Sequence, residues 1–185
     1  MRKALFVDDM SWDIPHTREA EWDQYDTAAT IYVISHIEGR AVAASRMIPT
    51  IHESGGWSYM IRDASLGRLP GIEKNICANA PQCENIWEAT RFTVCPSLSE
   101  PQARNSALSH NAQALAQCAS DMGATSLIAM MKPAFIRWLR GIDLPTKRFG
   151  PNIVTPENER VCAIQMDLAA LRDAPAKAPS PAQAA

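Results

Sequence analysis

The sequence predicts an α/β fold of the mixed α+β kind in a single domain, and three observations carry that prediction. Two strand-like runs come first as a close pair, apolar residues then recur at helical spacing, and strand and helix alternate toward the end. The 185 residues can bury about 70% of the surface the unfolded chain would expose, so a core is possible without disulfide or metal support.

Residues 27–36 are rich in Ala, Ile, Tyr and Val, and after Glu38-Gly39 a second such run covers 41–48, so the pair reads as an antiparallel hairpin closed by Pro49. Gly55-Gly56, Pro70-Gly71 and Pro81 punctuate the next stretch, which leaves room for one short helix over 59–66. Residues 86–94 alternate as a strand, with Ile86, Glu88, Thr90, Phe92 and Val94 on one side and Trp87, Ala89, Arg91 and Thr93 on the other. Ser97-Leu98-Ser99-Glu100-Pro101 resembles a helix start, and Leu108, Ala112, Leu115, Ala119 and Met122 continue it to Gly123. An apolar strand covers 126–131. Pro133 then suits the first turn of a helix with Phe135, Trp138 and Leu139 inward and Gly141 as its stop. A closing strand is expected over 160–168. The domain therefore spans 1–172, and 173–185, made mostly of Ala and Pro, reads as a disordered tail.

Charge and cysteine content narrow the function classes. A net charge of −2 with scattered Lys and Arg lacks the footprint of a nucleic-acid binder. No run reaches the length of a membrane span, and acidic Asp8-Asp9 interrupts any leader-like start. Five cysteines (Cys77, Cys83, Cys95, Cys118, Cys162) with no C-x-x-C spacing suit a reducing cytoplasm rather than a disulfide frame or zinc site. His16, His36, His52 and His110 show no ligand spacing, and no metal is expected.

The chemistry-bearing residues lie in the first half. Arg2, Phe6 and Trp12 precede Glu21-Trp22-Asp23-Gln24-Tyr25-Asp26, a loop-like stretch able to wrap a charged aromatic ligand. Arg46 follows, and Glu88 and Arg91 sit on an internal strand, where charge is costly unless paired or functional. Taken alone, Asp23 and Asp26 read as solvated loop acids. Glu88 and Arg91, three apart, point to opposite faces of a regular strand, so either a β-bulge brings them together or they serve different clusters.

Arg2-x3-Phe6-x5-Trp12, Asp23-x2-Asp26-x4-Ile31-Tyr32-Val33, Arg46-x2-Pro49-Thr50 and Trp87-Glu88-x2-Arg91-Phe92, in that order, resemble the signature of the autoinducer synthases, the acyl-homoserine-lactone synthase family. The resemblance covers residues 2–168. It implies a fold like that of GCN5-type N-acetyltransferases: a twisted, mixed, mainly antiparallel sheet flanked by helices, with a cleft between splayed central strands and a bulge on the strand bearing Glu88 and Arg91. It implies synthesis of an N-acyl-homoserine lactone from S-adenosylmethionine and an acyl thioester, releasing methylthioadenosine. Arg2, Phe6 and Trp12 would line the S-adenosylmethionine pocket; Asp23, Asp26, Arg46, Glu88 and Arg91 would form a charged cluster beneath the reacting centre, with Glu88 as general base. Met130, Met131, Phe135 and Trp138 would line the acyl pocket, although each also reads as ordinary core. S-adenosylmethionine is then a substrate, and no separate cofactor is implied.

Some features depart from the family pattern. Family members extend further upstream of the arginine matched by Arg2, so the N-terminal element is expected to be short. Residues 51–57 lengthen a loop, and Ser65 or Leu66 stands where the family often has phenylalanine. No Gly-rich pyrophosphate loop follows Val94, which favours acyl carrier protein as donor over acyl-CoA. Another N-acyltransferase acting on a different amine, or a non-catalytic paralogue binding acyl groups or carrier protein, are the alternatives.

Overall fold

The computed structural model describes residues 1–172, so the tail expected at 173–185 lies outside the described residues. Six strands form one sheet: β1 (Ile31–Ile37), β2 (Arg40–Pro49), β3 (Ile86–Val94), β4 (Ser126–Met131), β5 (Thr146–Val154) and β6 (Arg160–Asp167). Their order is β1-β2-β3-β4-β6-β5, and only the β3–β4 pair is parallel. The helices are α1 (Met60–Ser65), α2 (Pro101–Asp121), α3 (Ala134–Gly141) and α4 (Ala169–Arg172), with a π-helical turn at Ala4–Asp9 and a 3-10 turn at Lys74–Ile76.

The two sheet faces bury different partners. Met47, Trp87, Ala89, Leu127, Ala129, Ile164 and Met166 pack under α2 and α3. The α2 face turned inward is mostly alanine (Ala107, Ala112, Ala116, Ala119), which lets a long helix lie close to the sheet. On the other face Ile48, Ile128, Ala163 and Ile153 pack against Tyr59, Ile61 and Ile76.

Pairing between β3 and β4 is confined to Ile86–Glu88 against Ser126–Ile128. Beyond it β3 stays with β2 as far as Val94, and β4 stays with β6 as far as Met131. The central strands therefore part, opening a cleft at mid-sheet. The β2–β3 register slips between Ala44 and Arg46, two steps on β2 against three on β3, and Arg91 takes a φ of 55°. This is the expected bulge.

Several expectations change. The first strand starts at Ile31 rather than 27, because Thr27 and Thr30 close a turn on each other, Thr30 N–H donating to the Thr27 carbonyl at 3.1 Å. The loop-like N-terminus contains the π-helical turn, which buries Phe6. In α3 only Leu139 is fully buried, Phe135 and Trp138 being half-buried, and Gly141 belongs to the helix while Ile142 ends it. Strand β5 was not foreseen.

Candidate active site

The loop before β1 builds itself around two aspartates. The Asp23 N–H donates to Asp26 Oδ2 at 2.9 Å, the Tyr25 N–H to Asp23 Oδ1 at 2.9 Å and the Asp26 N–H to the Asp23 carbonyl at 3.1 Å. This local turn aims both carboxylates at the sheet. Arg46, on β2 and 1% exposed, meets them there: Nη1 donates to Asp23 Oδ1 at 2.6 Å and Asp26 Oδ1 at 2.8 Å, Nη2 to Asp23 Oδ2 at 3.1 Å, and Nε to Thr90 Oγ1 at 2.9 Å. Arg2 forks onto Asp26 with two bonds of 2.9 Å and also donates to Glu21 and to Tyr32. Arg91 reaches Asp23 Oδ2 at 2.5 Å, with its Nε 3.7 Å from Glu21.

Three arginines thus face three carboxylates, a neutral network with little exposure. Burial opposes ionisation of Asp26, but bonds from Arg2, Tyr32 and Arg46 outweigh it and hold its carboxyl well below the usual range. Burial lowers the proton affinity of the Arg91 guanidinium, against the pull of Asp23. Phe6 and Trp12 stack at 4.8 Å, and the Arg91 guanidinium lies 4.8 Å from the Phe6 ring centre and 5.2 Å from that of Trp12. Phe6 is buried and Trp12 half-exposed, so Trp12 offers the ring surface a ligand could reach.

Glu88 behaves differently. The bulge places Arg91 on the same sheet face as Glu88 and Thr90, but the two do not pair. Both Glu88 oxygens instead accept backbone N–H bonds of 2.8 Å from Met60 and Ile61 at the start of α1. That helix has no capping side chain of its own at Tyr59, so β3 supplies the acceptor its first amides need. The expected five-residue cluster is therefore a network of Asp23, Asp26, Arg46 and Arg91, extended by Arg2 and Glu21, with Glu88 beside it. Burial pushes the Glu88 carboxyl up to about 7, against the amides of Ile61 and Met60 and the charge of Arg46.

The residues expected at an acyl pocket do not converge. Met130 packs on the α1 side of the sheet, whereas Met131 and Trp138 pack on the α2/α3 side, as alternation along β4 requires. Phe135 meets Trp138 edge-on at 5.6 Å, and Trp138 Nε1 donates to Asn105 on α2 at 2.8 Å. Sequence reasoning missed the roles of Glu21, Tyr32, Thr90 and Tyr25. Glu21 was readable from the Glu-x-Asp-x-x-Asp spacing, and Tyr32 and Thr90 from the register, since both lie opposite Arg46 on neighbouring strands. Among the described residues no group of His, Cys, Asp or Glu is arranged to hold a metal ion, and no helix is long and apolar enough to cross a membrane.

The sequence and the fold are similar to those of known proteins. Residues 1–173 match the family model described as autoinducer synthase. An acyl-homoserine-lactone synthase of Pseudomonas chlororaphis is 30% identical over 171 residues, covering 89% of this chain and 76% of that protein. The structure of TofI in a ternary complex with an inhibitor and MTA superposes with a TM-score of 0.69 at 25% identity, covering 90% of this chain and 80% of TofI. The acyl-homoserine-lactone synthase LasI shares the fold, with a TM-score of 0.69 at 20% identity over 90% of this chain and 79% of LasI.

Proposed function

The chain belongs to the autoinducer synthase family and is an acyltransferase, and from that premise we propose that it makes an N-acyl-homoserine lactone signal from S-adenosylmethionine and an acyl thioester. The observation that carries this reading is the juxtaposition of a neutral arginine–carboxylate network, an aromatic pair and a buried carboxyl poised near neutrality beside the opening between β3 and β4. Arg2, Phe6 and Trp12 bind the nucleoside and sulfonium end of S-adenosylmethionine, Trp12 offering its reachable face to the cation. The arginines position the substrate carboxylate.

Glu88 acts as general base, directly or through one water. Each of its oxygens accepts one amide bond and keeps a further lone pair, so it can take a proton without leaving α1. The freed amine attacks the thioester carbonyl and expels the thiol. The substrate's own carboxylate oxygen then displaces methylthioadenosine from the γ-carbon and closes the lactone, a step governed by positioning. The acyl chain enters the splay between β3 and β4, where Met131 and Trp138 border the α2/α3 side and Met130 and Phe135 are secondary contacts. Acyl carrier protein is the preferred donor and acyl-CoA the alternative. Reaction takes place in the cytoplasm, where the five free thiols persist.

Mass spectrometry of organic extracts from a heterologous host expressing the chain tests the reading and reveals the acyl group. Soluble protein with no acyl-homoserine lactone would refute it. Purified protein offered matched carrier-protein and coenzyme A thioesters then decides the donor. Glu88→Gln should lower kcat by about a hundredfold or more with the fold retained, because the amide cannot accept a proton; undiminished turnover would remove Glu88 from the mechanism.

A further inference from the structure

The turn that carries Asp23 and Asp26 is gripped at two places by one continuous segment. Arg46, on β2, holds both carboxylates. Pro49 then ends the strand and opens a second turn, closed by the His52 N–H on the Pro49 carbonyl at 3.0 Å. Thr50, fully buried inside that turn, donates its N–H to the Ile86 carbonyl on β3 at 3.1 Å. Its Oγ1 donates to the Cys83 carbonyl at 2.9 Å and accepts the Cys83 N–H at 3.1 Å. The turn is thus fixed against the sheet, and it aims the half-buried His52 ring at the acid loop, where Nε2 lies 3.1 Å from Thr27 Oγ1. Further along the same loop, Ser54 and Trp57 exchange backbone bonds of 2.8 and 2.9 Å, and the Trp57 ring packs edge-on to Tyr25 at 6.3 Å. Both neighbours of Asp26 therefore rest on residues 52–57.

Counting hydrogens along this contact gives it a direction. Thr30 Oγ1 donates to the Tyr25 carbonyl at 2.6 Å, which commits its only hydrogen. It accepts the Thr27 N–H at 3.0 Å, so the Thr27 hydroxyl, 3.3 Å away, meets it as donor. Thr27 Oγ1 is then an acceptor toward the Ala29 N–H at 3.3 Å and toward His52. His52 must carry a hydrogen on Nε2, which one of its two neutral tautomers supplies. A chain of donors thus runs from His52 through Thr27 and Thr30 to the backbone between the two aspartates. We propose that His52 is a positioning residue for S-adenosylmethionine binding: its Nε2–H holds Thr27 and so keeps the Asp23–Asp26 turn where the two carboxylates orient Arg2, Arg46 and Arg91. This rests on the reaction proposed above, in which Arg2 lines the S-adenosylmethionine pocket and the arginines position that substrate's carboxylate, a role that leaves the acyl thioester untouched.

The test compares His52→Leu, which removes the donor, with His52→Gln, whose side-chain amide restores an N–H. Lactone formation is followed with S-adenosylmethionine and the acyl thioester that the wild type uses best, each varied in turn. Loss of one neutral hydrogen bond should raise KM for S-adenosylmethionine about fivefold in His52→Leu, with KM for the acyl thioester unchanged. His52→Gln should stay within about twofold of wild type. Thr27→Val removes the acceptor instead and should raise the same KM, and adding His52→Leu to it should change nothing further. A smaller folded fraction lowers turnover without moving KM, so this readout separates positioning from stability. An unmoved KM for S-adenosylmethionine, an equal rise for both substrates, a His52→Gln variant as impaired as His52→Leu, or a further rise in the double variant overturns the proposal. Wild-type protein that forms no lactone overturns the reaction itself, a failure distinct from wild-type turnover with an unmoved KM in His52→Leu.

Discussion

Arg46 compensates the buried charge of two of the site's carboxylates. Its side chain is 2% exposed and contacts Asp23, Asp26 and Thr90, so removing it strands two carboxylates away from water. Breaking a buried pair costs more than the pair is worth, because the remaining charge keeps its desolvation penalty. Arg91 still serves Asp23 and Arg2 still serves Asp26, so Arg46→Ala should cost about 3 kcal/mol, the low end for such a loss. Arg46→Lys keeps the charge and loses the fork, and should cost less. Urea unfolding measures both, and an Arg46→Ala change within about 0.5 kcal/mol would mean that the network is not structural. At this scale the signature residues were legible because their spacing matched, but their partners were not. Glu88 and Arg91 looked like one pair because both sit on one strand; nothing in the sequence says that the first amides of α1 arrive to take Glu88 first.

The same contrast recurs among the elements. β3 was legible from end to end because Ile86–Val94 alternates between turn signals, and β2 because a mostly apolar run lies between Glu38-Gly39 and Pro49. β5 was not legible, because Gly150-Pro151 reads as a turn. In the structure they fall where the β5–β6 register slips between Arg148 and Asn152, on a sheet edge where a proline leaves no ladder bond unmade. Gly150 is there for closeness: a Cβ would come within 1.9 Å of the Ile76 carbonyl oxygen in the 3-10 turn and 3.3 Å of the Ala163 Cβ. Neither neighbour is a flexible side-chain end. Gly150→Ala should therefore destabilise by about 1–3 kcal/mol through overpacking, with β5 moving off the turn. Thermal unfolding checks this, and a neutral result would show that the edge strand shifts freely.

Across the whole molecule, stability and pH are linked by two carboxyls perturbed in opposite directions. Asp26 is depressed below its ordinary 3.8, so its ion pairs stabilise the fold above that value and are lost as pH falls below it. Glu88 is raised from 4.5 to about 7. Between those values the folded chain holds a proton that the unfolded chain has released, so raising pH favours unfolding; above about 7 the loss is complete and the slope from this group vanishes. Holding the first amides of α1 needs only acceptors at this position, whereas the burial of a carboxyl also brings the group near the working pH of a base. Glu88→Gln removes the titration and leaves one of the two α1 amides without its acceptor, an offset that does not vary with pH. Urea midpoints of the two proteins, followed from pH 4.5 to about 8, should therefore diverge, with the wild type losing stability relative to the variant until about pH 7 and running parallel beyond it. Parallel curves throughout would mean that Glu88 ionises as readily in the folded chain as in the unfolded one, and the poised base would lose its physical basis.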